Sequence, residues 1–123
     1  MDFKKLLAYQ KAFDLAMSIY EISKSFAKEE TYSLTDQIRR SSRSVNANIS
    51  ESYRKRRYPK HFISKLTDAD GENSETSTWL DFAFACEYIS IEQHKDLSNQ
   101  SIEVGKLINY MINNPGKFGV KEE

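Results

Sequence analysis

Chain-breaking residues are scarce in this sequence. Four Gly and two Pro stand in 123 residues, at Pro59, Gly71, Gly105, Pro115, Gly116 and Gly119. These are the residues that supply the backbone angles and missing N–H groups of tight turns. With so few, the chain must build a small number of long elements. Its length suits one core, since single domains commonly occupy about 100–200 residues, so no domain boundary is expected.

Apolar residues at steps of three and four mark those elements as helices. Leu6, Tyr9, Phe13, Met17, Tyr20 and Phe26 supply the apolar face of a first helix over about residues 5–27. Leu34, Ile38, Val45 and Ile49 trace a second over about 32–54, with Ser41 and Ser42 filling one turn. Such small residues let another helix approach closely. Pro59 suits a first helical turn and opens a third helix over about 59–89, along Phe62, Leu66, Ala69, Asn73, Leu80, Phe84 and Tyr88. Ser90-Ile91-Glu92-Gln93 reads as a capping box for a fourth helix over about 91–113. Asn113-Asn114-Pro115-Gly116 stops it, and residues 114–123 are expected to form a loose tail. Helices of about 20 residues joined by short connections run antiparallel to their neighbours. The predicted fold is an all-α, up-down-up-down antiparallel four-helix bundle.

Net charge is zero, so bulk electrostatics names neither nucleic acid nor membrane as a partner. The opening Met1-Asp2-Phe3-Lys4-Lys5 does not lead into an apolar signal core, and no run of about 18 apolar residues occurs. A cytoplasmic location without membrane contact is expected. Cys86 is the sole cysteine and reads as a small buried hydrophobe. Bundle metal sites use Glu-x-x-His, whereas Tyr58 and Ile91 stand three residues before His61 and His94. Zinc spacing, a Gly-rich phosphate loop and a G-x-S-x-G elbow are all missing. The expectation is a binding protein rather than an enzyme, with no catalytic residue, metal or cofactor.

Charge is strongly segregated along the chain. From Arg39 to Lys65 stand Arg39, Arg40, Arg43, Arg54, Lys55, Arg56, Arg57, Lys60 and Lys65 against one acid, Glu51. From Asp68 to Glu92 stand Asp68, Asp70, Glu72, Glu75, Asp81, Glu87 and Glu92 with no Lys or Arg. Antiparallel second and third helices bring Arg43 level with Asp70, and Arg40 level with Glu72 or Glu75, as internal ion pairs. The tip from Arg54 to Lys60 has no such partner. Its cations suit phosphates, and Tyr53 and Tyr58 suit base stacking, a combination used in sequence-tolerant RNA binding. Asn48 and Glu51 read as a structural hydrogen-bond pair. Trp79, Phe82 and Phe84, on an acidic helix, read as core or interface aromatics.

The segments Leu7-Ala8-Tyr9-Gln10-Lys11-Ala12 and Gln37-Ile38-Arg39-Arg40-Ser41-Ser42-Arg43-Ser44-Val45-Asn46-Ala47-Asn48-Ile49-Ser50-Glu51 resemble the bacterial four-helix bundle family. That family includes proteins encoded in 23S ribosomal RNA intervening sequences and is similar to accessory variability proteins of diversity-generating retroelements. Phe62-Ile63, the stretch from Asn73 to Trp79 and Ala85-Cys86-Glu87-Tyr88-Ile89 extend the resemblance over roughly Phe3 to Met111. Ser52 stands where the family usually has Gly, and Ala27 where it usually has Pro. Without that Gly, the second helix is expected to run on through Tyr53.

The resemblance implies a cyclic homo-oligomer, typically a pentamer, and, in the retroelement relatives, a basic surface that binds RNA and assists a reverse transcriptase. It implies no enzymatic activity. Ser41, Ser44, Ala47 and Asn48 then become candidates for packing between subunits. Three roles stay open at this point: RNA binding through Arg39, Arg40, Arg43 and the tip; a scaffold whose basic patch docks an acidic protein; and self-association of the basic surface with a neighbour's acidic third helix.

Overall fold

The computed structural model describes residues 2–121. Its helices are α1 (Leu7–Ser23), α2 (Asp36–Arg54), α3 (Pro59–Ala85) and α4 (Ile91–Asn113). Cross-helix hydrogen bonds fix their directions. Asn46 of α2 donates to the Tyr9 carbonyl at 2.9 Å, while Arg39 reaches Ser23 at 2.8 Å, so late α2 lies beside early α1. Ser41 meets Thr76 at 2.8 Å and Lys65 meets Glu51 at 3.0 Å across α2 and α3. Asn73 pairs with Ser101, and Asp81 with His94, across α3 and α4. Lys11 pairs with Glu103 across α1 and α4 at 3.6 Å. Every neighbour is antiparallel, as expected.

The core is apolar at both ends and narrow and polar in the middle. Ile19, Ile38, Ile49, Phe62, Leu66, Leu80 and Ile108 are fully buried. Between them sit the Ser41–Thr76 bond and a reciprocal pair, in which Asn73 donates to the Ser101 carbonyl and Ser101 donates to the Asn73 side-chain oxygen. Each of these buried groups has a partner, so none carries the penalty of an unmade hydrogen bond. Gly105 lies at this waist; a side chain there would start 3.4 Å from the Asn73 amide nitrogen. Ser41 is buried inside the chain and so is not available between subunits.

This waist corrects part of the expected apolar stripe of the first helix: Leu6 and Phe26 are buried and Tyr9 packs against the core as expected, but the middle of the stripe turns outward. Ala8, Ala12, Leu15, Ala16 and Ile19 point inward, whereas Phe13 and Met17 are half exposed. Both stripes have helical period, but only the one rich in alanine fits against the Ser, Asn and Thr side chains of the narrow waist. The aromatic stripe turns out of the core: Tyr20 meets Arg39 and Arg43 of α2, while Phe13 lines a surface depression with residues of α1 and the turn before it.

Several boundaries also differ. The first helix ends at Ser23 rather than residue 27. There the hydroxyls of Ser23 and Ser25 donate to the carbonyls of Tyr20 and Ile22, competing with further helix. A 3-10 turn (Lys28–Glu30) and a π turn (Thr31–Thr35) lead into α2, which runs through Tyr53 to Arg54. The third helix ends at Ala85 instead of residue 89, because Glu87 takes φ 64° and reverses the chain. Cys86 falls at that end and is exposed rather than buried. The capping box opens α4 at the expected residue, with Ser90 N–H donating to Gln93 at 2.8 Å and Gln93 N–H to Ser90 at 3.1 Å.

The expected loose tail is ordered packing as far as the structure describes it. Pro115–Phe118 forms a 3-10 turn, Val120 is buried, and Arg56 donates to the Phe118 carbonyl at 3.2 Å. Phe118 closes a crevice lined by Leu6, Leu107 and Met111, so the tail caps an otherwise open end of the core. Gly119 makes this possible: its φ is 85° and a side chain would start 3.0 Å from the Arg56 guanidinium. Residues 122 and 123 of that expectation lie outside the described residues. Among the described residues, no helix is long and apolar enough to cross a membrane.

Candidate nucleic-acid interface

Helix α2 touches α1 on one side and α3 on the other, and this divides its arginines. Arg40 faces α3, where it meets Glu75 at 3.2 Å and Glu72 at 3.8 Å. The expected register is therefore present, and Arg40 is neutralised. Arg43 does not meet Asp70, whose carboxylate accepts from Asn109 at 3.3 Å. The three-residue step carries Arg43 around α2 to the α1 side, where it lies 5.7 Å from the centre of the Tyr20 ring.

Three cations converge on that ring. Arg39 lies 4.8 Å from its centre, and Lys24 also 4.8 Å. Arg39 is fixed in place because its Nε donates to Ser23 Oγ at 2.8 Å. Lys24 also pairs with Glu21 at 3.2 Å. Among the described residues, neither Arg39 nor Arg43 pairs with a carboxylate. Further along the same stripe of α1, Tyr9 and Phe13 stack with ring centres 6.3 Å apart and an angle of 25°. Phe3 sets its edge against Tyr9 at 5.3 Å. Beside this pair is an open depression of about 520 Å³ lined by Lys4, Tyr9, Gln10, Phe13 and Asp14.

Sequence reasoning included Arg39 and Arg43 but missed Lys24, Tyr20, Tyr9 and Phe13. The signal was present: α1 carries two competing stripes, one of small and aliphatic residues and one of aromatics, and the first makes the better core.

At the α2–α3 turn the predicted residues separate further. Arg54, Arg57 and Lys60 are exposed and have no ion-pair partner among the described residues. Lys55 caps the C-terminal end of α2, where positive charge is also favoured by the helix dipole. Arg56 is a structural clamp: its Nε donates to the Tyr53 carbonyl at 2.8 Å, its guanidinium lies 3.6 Å from the centre of the Tyr53 ring, and it holds the tail. Tyr53 is only 6% exposed, so the expectation that it stacks on bases fails; Arg56 already covers its ring. Tyr58 is 55% exposed and remains accessible. The expected Asn48–Glu51 pair is not formed. Asn48 donates to Ser44 within its own helix at 2.9 Å, and Glu51 pairs with Lys65. Phe82 and Phe84 lie on the surface of the described chain rather than in its core, while Trp79 donates to Glu75 at 3.3 Å.

Among the described residues, no three His, Cys, Asp or Glu side chains gather as metal ligands. The fold and site thus define a small all-α protein, a four-helix bundle with a basic, aromatic face between its first two helices. The chain belongs to the 23S rRNA-intervening sequence protein family, which it matches over residues 4–110. It is also similar to a crystallised protein of unknown function from the S23 ribosomal protein family of Bacteroides thetaiotaomicron. The two share 32% identity with a TM-score of 0.79, over 87% of this chain and 96% of that one. No curated protein matches the chain.

Proposed function

We propose that this is a non-catalytic RNA-binding protein of the cytoplasm that acts as a homo-oligomer. It grips phosphates with Arg39, Arg43 and Lys24, aided by Arg54, Arg57 and Lys60 at the tip. The observation that carries this reading is the gathering of three cations on Tyr20, where Arg39 and Arg43 have no carboxylate partner. A purely structural surface normally interleaves opposite charges, as Arg40, Glu72 and Glu75 do on the neighbouring face. Oligomerisation, expected to be pentameric, is supported by half-exposed Met17, Phe82, Ile91 and Ile102, and it would multiply each basic patch into one multivalent surface.

The test is RNA affinity measured by fluorescence anisotropy across salt concentration. Phosphate contacts release counterions, so log affinity must fall linearly with log salt, by about 0.7 per contact on a single strand. A flat profile sinks the reading. Light scattering gives the mass in solution, and a monomer at all concentrations removes the oligomer from it.

A further inference from the structure

We infer that the face between α1 and α2 selects unpaired RNA, seating a base against Tyr9 and Phe13 while the backbone runs over Arg43, Arg39 and Lys24. This rests on the RNA-binding function proposed above.

Phosphate binding alone needs only cations, yet this face alternates cations with rings. Tyr9, Phe13 and Tyr20 follow one stripe of α1. Tyr9 lies level with Asn46, to which its carbonyl is bonded, and Tyr20 lies level with Arg39 and Arg43. Phe13 falls between them and is 49% exposed, although a residue of that size gains most when covered. Its plane is set in advance by stacking on Tyr9, which in turn makes an edge-on contact with Phe3. Preset rings lose little entropy on binding a flat ligand.

The depression beside Phe13 separates base from backbone. Its rim carries Lys4, Gln10 and Asp14, which offer an amine, an amide and a carboxylate. The Gln10 nitrogen already donates to the Lys4 carbonyl at 3.2 Å, leaving the Gln10 oxygen as an acceptor. Aromatic walls with mixed donors and acceptors suit the face and edge of a splayed base. Asp14 repels phosphate but accepts a base N–H. Around Tyr20, by contrast, Arg39 and Arg43 attract phosphate. Tyr9 and Tyr20 are eleven residues apart, about 16 Å along the helix, which at a stacked rise of 3.4 Å accommodates about five nucleotides. A duplex keeps its bases inside and has no ring to offer Phe13.

The experiment uses the full chain, a labelled ten-nucleotide RNA without self-complementarity, and the same strand in a blunt duplex, both titrated by anisotropy over a salt series. The unpaired strand is expected to bind at least about tenfold tighter, the usual effect of one base stacked on an aromatic ring. Phe13→Ala is expected to erase most of that preference while leaving the salt slope and duplex affinity unchanged, and Phe13→Tyr is expected to keep it. Arg43→Ala should weaken both RNAs and flatten both slopes. Equal or tighter duplex binding overturns the inference but not the proposed function. So does a Phe13→Ala protein that binds unpaired RNA normally yet changes mass in light scattering, which makes this face a contact between copies. Salt-independent binding, or none to either RNA, overturns the function itself.

Discussion

Arg39 and Arg40 are neighbours in sequence, yet the turn of α2, about 100° per residue, sends one toward α1 and the other toward α3. On the α2–α3 face, Arg40 is held by Glu72 and Glu75, and Lys65 by Glu51. On the α1–α2 face, Arg39 and Arg43 lie over a tyrosine and pair with no carboxylate among the described residues, while Lys24 on the same ring pairs with Glu21. The first arrangement is a partly buried seam of ion pairs, in which the Glu72 oxygen facing Arg40 is shielded from solvent. The second leaves charge unspent on one side of the molecule. Linear charge density therefore says little about function until each side chain is assigned to a face.

The largest effect expected from this difference is on RNA affinity. Replacing Arg39 and Arg43 together with Ala should flatten the salt slope by about 1.4, two single-strand contacts, and weaken binding on the order of tenfold for each lost charged contact. Arg40→Ala should leave both unchanged. If Arg40→Ala is as damaging as the double variant, the two faces do not differ in the way described. The converse change sharpens the comparison. Glu72→Gln with Glu75→Gln frees Arg40, and anisotropy should then show the slope steepening by about 0.7.

A second contrast lies within the tip, between Arg56 and the flanking Arg54 and Arg57. Gly119→Ala forces a side chain into the left-handed region and toward the Arg56 guanidinium. It should destabilise the fold by about 1–2 kcal/mol, a shift of several degrees in a thermal melt for a chain of this size. Arg56→Ala should also lower the melting temperature, by releasing the Phe118 carbonyl, while leaving the RNA salt slope intact. Arg57→Ala should do the reverse. A slope that falls for Arg56→Ala returns that residue to the binding surface.

The sequence announced its helices clearly because few residues interrupt them and because Pro59 and the Ser90–Gln93 box mark two starts with direct physical signals. The register of α2 on α3 was also legible, since Arg40 had complementary acids at the right distance from the turn. The inward face of the middle of α1 was not legible, because Tyr9–Phe13–Met17 and Ala8–Leu15–Ile19 satisfy the same period. Choosing between them requires knowing that the opposing waist is narrow, which is a tertiary fact. The candidate site inherited that error: treating Tyr9, Phe13 and Tyr20 as core removed the rings from the surface that the arginines share. The same limit applies to Tyr53 and Arg56, which read as a stacking ring and a free cation but satisfy one another. The tail was missed because a helix stop signal says nothing about where Phe118 and Val120 go afterwards.

The smallest effect expected is at the far end of the bundle from the tip, and it distinguishes charge that stabilises the fold from charge left for a ligand. Glu30 accepts from the Ser33 hydroxyl at 2.6 Å and from the Tyr88 hydroxyl at 3.0 Å. These hydrogen bonds, with Ser33 the stronger influence, hold its carboxyl below the usual carboxylate range. The bond to Glu30 in turn pushes the Tyr88 phenol above its ordinary value. A depressed carboxyl contributes stability that is present above its unfolded pKa and is lost as pH falls through the folded one. A raised phenol contributes stability that is present below its unfolded pKa and is lost as pH rises through the folded one. Both contributions are therefore complete near neutrality and fade toward acid and strong base. Tyr88→Phe removes the shared hydrogen bond, so this variant should melt slightly below the parent chain at pH 7 and converge on it toward both pH extremes, its melting temperature depending less on pH. Because neither group touches the α1–α2 face, RNA affinity at neutral pH should be unchanged. A loss of affinity in Tyr88→Phe would couple the two ends of the bundle and break the separation between a face that binds and an end that only holds the helices together.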